Sequence, residues 1–309
     1  MKIITLTLNP AFDLHCSTAH FASESENLAT VTRREAGGKG VNISRALKAG
    51  GVESMALLVL GQDNAAAFEK ALAADGLFFE ALYRPGSIRE NITIHPENAP
   101  ETRLSFTGFS ADDGLLLQVE SALAPLLEPG CIVTLTGRLP EGVGMPAVQQ
   151  LLARLRRQGV HIVVDSRSFS LSDLTAAHPF LIKPNQEEIS AYLGYSINSF
   201  EAVCDAAQKL CRRGIEHVMV SLGAQGALLC CRQGCYTAAA PKIRAVSTIG
   251  AGDSSIAGFL AAFVRGDGAA DCLRTAVAYG SAACLTPGTL PPRPQDLQEL
   301  IPKVTVRSL

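Results

Sequence analysis

At 309 residues the chain is long enough to bury a large core, and a formal net charge of −2 gives it no basic footprint for nucleic acid or an anionic membrane surface. Hydrophobic residues make up 47% and charged residues 18%, which excludes an intrinsically disordered chain. Any hold on phosphate must therefore come from a few placed cations and backbone N–H groups.

The N-terminus, Met1-Lys2-Ile3-Ile4-Thr5-Leu6, runs straight into a strand-like stretch without an h-region or cleavage site, so no signal peptide is expected. No apolar run reaches about 18 residues, so no membrane span is expected and the cytoplasm is the default. Apolar runs at Ile3–Leu8, Ser54–Leu60, Cys131–Leu135, His161–Asp165, Phe180–Ile182 and His217–Ser221 read as strands, several of them buried on both faces. Between them, Val41–Lys48, Ala65–Ala74, Leu115–Leu127, Pro146–Arg157 and Ala202–Arg213 carry helical periodicity. The alternation predicts right-handed βαβ units in a doubly wound α/β sandwich over residues 1–309. Two stretches break the rhythm, about 11–35 and 88–107, which are β-like but more polar. Ile92–His95 and Arg103–Phe106 look like a hairpin closed by the Pro96–Pro100 loop, and the two stretches are expected to leave the main sheet as a small lid. Thr286–Pro294 reads as a loop before a final helix.

Four segments offer chemistry. Ala36-Gly37-Gly38-Lys39-Gly40-Val41-Asn42 lacks Walker spacing, yet it puts backbone N–H groups and an ammonium at a helix start, although Gly-Gly is also simply a turn. In Lys183-Pro184-Asn185-Gln186-Glu187-Glu188, Pro184 stops a strand and Asn185 with Glu188 has capping-box spacing, which by itself accounts for both. Ser221-Leu222-Gly223-Ala224-Gln225-Gly226 follows a buried strand without dinucleotide-fold spacing. Thr248-Ile249-Gly250-Ala251-Gly252-Asp253-Ser254 precedes Ile256, Phe259, Leu260 and Phe263, one apolar helix face. Its glycines permit a tight turn, and free N–H groups at the helix start form an anion site. Asp253 is either a helix-capping acid or a carboxylate poised beside that cradle to take a hydroxyl proton in phosphoryl transfer. The nine cysteines are scattered, and Cys230, Cys231 and Cys235 lack zinc-ligand spacing, so free thiols are expected.

Taken in order, from Thr7-Leu8-Asn9-Pro10-Ala11-Phe12-Asp13 through Gly-Gly-Lys-Gly and Lys-Pro-Asn to Gly-Ala-Gly-Asp, these segments resemble the ribokinase-like, PfkB-type carbohydrate kinases end to end. The resemblance implies a three-layer αβα sandwich with a mostly parallel sheet and a β-sheet lid that serves as a homodimer interface. It implies ATP as co-substrate with Mg2+, and it casts Asp253 as catalytic base with Gly250, Ala251 and Gly252 as anion hole. Lys183, Asn185, Ser221, Gly223 and Gly226 fall at nucleotide positions, and Glu188 at one tied indirectly to Mg2+. Asp13, Gly38, Lys39 and Asn42 match the sugar pocket, while Arg89 and Asn91 match a lid arm that reaches the substrate phosphate.

Within the family, Leu-Asn-Pro-Ala-Phe-Asp, Lys39 and Ser-Thr-Ile before Gly-Ala-Gly-Asp resemble the branch acting on phosphorylated ketohexoses. Fructose 1-phosphate is the expected acceptor, ahead of tagatose 6-phosphate and fructose 6-phosphate, and an extra cation suits an acceptor that already carries phosphate. Arg138 stands where that branch usually has Ser, as a further phosphate ligand or an altered pocket rim, and Ser255 is smaller than usual. A nicotinamide dehydrogenase would suit the fold class, but the first strand ends in Asn9-Pro10 instead of a glycine fingerprint. A non-catalytic sugar-phosphate sensor is the other alternative.

Overall fold

The computed structural model describes all 309 residues. Its strands are β1 (Ile3–Thr7), β2 (Ala11–Thr18), β3 (Thr30–Gly37), β4 (Met55–Gly61), β5 (Phe78–Arg84), β6 (Arg89–Pro96), β7 (Thr102–Leu104), β8 (Ile132–Thr136), β9 (His161–Asp165), β10 (Leu181–Ile182), β11 (His217–Ser221), β12 (Ala227–Cys231), β13 (Gly234–Ala238) and β14 (Val306–Ser308). Its helices are α1 (Lys39–Ala49), α2 (Ala65–Ala74), α3 (Gly114–Leu123), α4 (Met145–Arg157), α5 (Leu171–Ala177), α6 (Gln186–Leu193), α7 (Phe200–Arg212), α8 (Ala251–Val264), α9 (Ala269–Ala283) and α10 (Pro294–Leu300).

The expected sandwich is present. A ten-stranded sheet runs β14-β13-β12-β11-β10-β9-β8-β1-β4-β5, parallel from β11 through β5 and antiparallel beyond. Its central strands are buried nearly throughout because both faces are covered, with Thr5, Thr7, Thr134 and Thr136 among their apolar residues. In β4, Leu57 and Val59 pack with α3 to α7, whereas Ala56, Leu58 and Leu60 pack on the opposite side with α1 and α2. α1 also joins α8, α9 and α10 in the core of that second layer. α8 and α9 cross closely because small residues meet: a side chain on Gly280 would lie 2.3 Å from Ser255 Oγ, which itself donates to Ala251 O. Packing against α9 thus accounts for the small residue at 255.

The two irregular stretches form a separate four-stranded sheet, β3-β2-β6-β7. The expected hairpin is there, with Ile92 opposite Leu104 and Thr93 opposite Arg103, although its second strand ends at Leu104 rather than Phe106. Two expectations need correction. The helix read to Leu127 ends at Leu123 and tightens into a 3-10 turn over Ala124–Leu126, since Pro125 has no N–H to continue the ladder. Cys230 and Cys235 are disulfide-bonded instead of free, because β12 and β13 set them directly opposite one another; the other seven cysteines are free. No helix is long and apolar enough to cross a membrane.

Candidate active site

The parallel strands point their carboxyl ends to one side of the sheet, where ligands bind in open α/β folds. Asp165 ends β9, Lys183 follows β10, Ser221 ends β11, and Asn9 lies just past β1. The N-terminus of α8 enters the same side.

Gly250 caps α8 in the left-handed region (φ 78°), and the first intrahelical bond runs from Ser254 N–H to Gly250 C=O at 2.9 Å. The N–H groups of Gly252 and Asp253 precede that bond and face outward as an anion cradle. Asp253 is therefore in the first turn and is not the cap. Its carboxylate is buried and accepts from Asn42 Nδ2 at 2.8 Å. Burial pushes the Asp253 carboxyl up to about 6; Lys39 and the Asn42 hydrogen bond pull it down, and Asp165 adds to the rise. A carboxylate with this value is ionised near neutrality yet basic enough to accept a proton.

On one side of the cradle lies a groove of about 610 Å³ lined by Lys183, Asn185, Ser221, Gly223, Gly226, Ala251 and Gly252 among others. Every residue that the resemblance put on the nucleotide side thus borders one cavity. A side chain on Gly252 would meet Lys183 Nζ at 2.9 Å, so the ammonium lies against the cradle's backbone. Gly226 (φ 106°) presses on Ala238 O, which a Cβ would meet at 1.9 Å. Glu188 does form the capping box with Asn185, through bonds of 2.8 and 3.1 Å, and also pairs with Arg167 at 3.2 Å.

On the other side are the sugar-pocket candidates. Gly38 opens α1 at φ 127°, and a side chain on Gly37 would lie 2.3 Å from Asp13 Oδ2, so backbone is pressed against that carboxylate. Asp13, buried on β2, accepts from Asn91 Nδ2 at 2.9 Å and Arg103 Nη2 at 3.1 Å. Arg89 donates to Asn91 Oδ1, Phe106 O and Asn9 O. Burial holds Arg89 below its ordinary value; Asp13 opposes that shift, while Arg138 and Arg103 add to it. Arg138 itself is exposed at the rim, close enough for its charge to be felt at Arg89.

Two residues went unnoticed in the sequence. Arg103 belongs to the arginine cluster with Arg89 and Arg138. Asp165 is buried between the two halves, 2.8 Å from Lys39 Nζ and 4.0 Å from Lys183 Nζ. Burial pushes its carboxyl up, but Lys183 and Lys39 together outweigh that and hold it below its ordinary value. Lys39 is correspondingly raised: burial lowers it, and Asp165 and Asp253 more than compensate. The one signal for Asp165 was its position at the carboxyl end of the buried run Ile162-Val163-Val164.

Residues 7–296 match the model of the pfkB family carbohydrate kinases. The chain is similar to the 1-phosphofructokinase of Rhodobacter capsulatus, at 35% identity over 100% of this chain and 98% of that protein. It is 34% identical to the 1-phosphofructokinase of Haemophilus influenzae, over 91% of this chain and 90% of the relative. Among solved structures, phosphofructokinase-2 from Escherichia coli in complex with substrates and products superposes with a TM-score of 0.91 at 30% identity, covering 98% of this chain and 99% of that one.

Proposed function

The chain belongs to the pfkB family of carbohydrate kinases and is an ATP-dependent sugar-phosphate kinase; on that footing we propose that its acceptor is fructose 1-phosphate and its product fructose 1,6-bisphosphate. The observation that carries this reading is the buried Asp253 carboxylate beside the N–H cradle, with a nucleotide-sized groove on one side and an arginine cluster on the other. In our reading ATP lies along the groove, against Lys183, Asn185, Ser221, Gly223 and Gly226. The cradle at the start of α8, with the N–H groups of Gly252 and Asp253, stabilises charge on the moving γ-phosphoryl group.

Asp253 takes the proton from the sugar's C6 hydroxyl as its oxygen forms the new bond to phosphorus, and ADP leaves. Asn42 holds Asp253 with its amide N–H groups, and its buried Oδ1, which has no partner within the protein, is the acceptor for an acceptor-sugar hydroxyl. Asp13, Gly38 and Asn91 shape the sugar pocket. Arg89, Arg103 and Arg138, with Lys39, receive the phosphate already on the sugar; the charges of Arg138 and Arg103 raise the cost of charge at Arg89, which an anion beside them would offset.

No group of three or more His, Cys, Asp or Glu side chains is arranged to hold a metal. This donor set fits Mg2+ carried on the phosphates of ATP, with Glu188 reaching it only indirectly. When bound, the ion offsets phosphate charge. The setting we propose is the cytoplasm, where ATP and sugar phosphates are available.

The four-stranded sheet is in our reading a lid over the sugar, excluding water that would hydrolyse ATP. Its buried face is polar, with Asp13, His15, Asn91 and Thr93, while Leu14, Ile92 and Leu104 share the opposite, partly exposed face. An apolar outer face favours a homodimer through the lid. Light scattering should give about twice 32.5 kDa, and Ile92→Asp should return the monomer; a wild-type monomer at micromolar concentration would refute the interface.

The substrate assignment is tested by ADP release with fructose 1-phosphate, tagatose 6-phosphate and fructose 6-phosphate. Fructose 1-phosphate should give a kcat/KM at least about tenfold above the others; a higher value for either competitor overturns the assignment. Arg138→Ser should raise KM for the sugar phosphate about tenfold and leave KM for ATP unchanged, as expected for one lost charged hydrogen bond.

A further inference from the structure

Among the polar groups that the proposed chemistry leaves unused, one contact joins the small sheet to the anion cradle. Thr289 Oγ1 donates to Glu35 Oε2 at 3.0 Å, linking residues 254 apart. Both groups are well covered: Thr289 is 7% exposed and the Glu35 side chain 11%. Arg33 Nε lies 3.2 Å from Glu35 Oε1 and supplies the countercharge.

Each end of this contact is mechanically placed. Glu35 lies on β3, opposite Asp13 in register and two residues before Gly37, so it moves with the backbone that shapes the sugar pocket. Thr289 abuts the start of α8, with its Cα 3.7 Å from where a side chain on Gly250 would sit. Its loop is also tied to the cradle's approach segment, where Ser247 Oγ donates to Gly288 O at 3.5 Å. The lid-side residues press on the same loop: a side chain on Gly288 would meet Arg33 Nη2 at 1.9 Å and His15 Nε2 at 3.1 Å. A packed loop with neighbours this close cannot shift without moving what it touches.

We infer that Thr289 and Glu35 are positioning residues whose hydrogen bond couples the sugar-side sheet to the anion cradle, so that the cradle is seated for transfer only when β3 is in place. Neither touches a reacting atom; they act on Gly250 through the loop. Alignment of the cradle with the moving phosphoryl group governs turnover and not ground-state binding, so the loss belongs in kcat. The inference rests on the kinase reading above.

The test is Thr289→Val, which keeps the shape of the side chain and removes the hydroxyl, beside Thr289→Ser, which keeps the hydroxyl. Thr289→Val should lower kcat about tenfold with both KM values within about twofold, and Thr289→Ser should restore kcat, since a small misplacement of an aligned group costs rate steeply. Unchanged kcat, a loss confined to KM, or failure of Ser to restore the rate would overturn the coupling. If Thr289→Val does not fold, Glu35→Met removes the acceptor from the other end of the contact, and the same loss in kcat alone is required. A wild-type protein inactive on every sugar phosphate would sink the kinase reading; an active wild type with a fully active Thr289→Val would sink the coupling alone.

Discussion

Replacing Asp253 by Asn should lower kcat by about 10²- to 10⁴-fold while ATP and the sugar phosphate still bind, because the substitution keeps the shape of the site and removes the proton acceptor. The same variant should be more stable than the wild type above pH 6. The sign follows from the raised carboxyl: with a folded value of about 6 against an ordinary 3.8, its favourable contribution is complete below 3.8 and is lost as pH rises through 6. Asn carries no such charge, so the variant gains about 2 to 3 kcal/mol near pH 8, and the gain vanishes near pH 4. Denaturant midpoints across that range check it. This readout belongs to the protein alone, whereas the acid limb of a rate profile also contains the substrate phosphates, which titrate near 6. Near-normal turnover in the variant would remove Asp253 from its role. A stability difference independent of pH would mean that the carboxyl is not the strained group.

Asp165→Ala should be the most damaging substitution outside the cradle. It removes the countercharge shared by Lys39 and Lys183, and the Lys183 side chain is only 9% exposed. Leaving a buried cation uncompensated costs about 3 kcal/mol. Asp165 is held below its ordinary value, so its stabilisation is present above 3.8 and is lost as pH falls through the folded value. The deficit of the variant should therefore be full at pH 7 and fade below about pH 4. Activity should fall further than stability suggests, by about 100-fold in kcat/KM, because both ammonium groups lose the anchor that aims them. Asp165→Asn, which keeps a hydrogen-bond acceptor, should fall between wild type and Ala. A melting point within a degree or two of wild type together with unchanged kcat/KM would show that Asp165 holds neither lysine.

Both predictions turn on contacts between residues far apart in the chain, and this marks how far the sequence could be read. The parallel strands were legible because burial on both faces writes a run of apolar and β-branched residues, continuous in β4 and interspersed with threonine in β1 and β8. The helices between them were legible where one face alone is buried, as in α4 and α7. The turn before α8 was legible because its glycines and acid stand at a helix start in a fixed order. The antiparallel extension β12 to β14 was not read: β13 and β14 are short and mix polar residues, a thiol and glycine without a clear period, and β12 is a five-residue apolar run too short to identify as a strand. The Cys230–Cys235 bond was missed for the same reason: it depends on strand register, which no spacing rule for single residues contains.

The fold class was legible in the sequence because apolar periodicity is a local property, the family was legible through its ordered motifs, and Asp253 was legible as a candidate carboxylate at a helix start. Only the tertiary structure decided what surrounds that carboxylate. Asn42 reaches it across 211 residues, Lys39 reaches Asp165 across 126, and Thr289 reaches Glu35 across 254. A lone Asp at the end of a strand or a lone Thr in a loop has no local signature of such a partner. Strand order and helix packing bring the groups together, and burial then makes each charge depend on its neighbour.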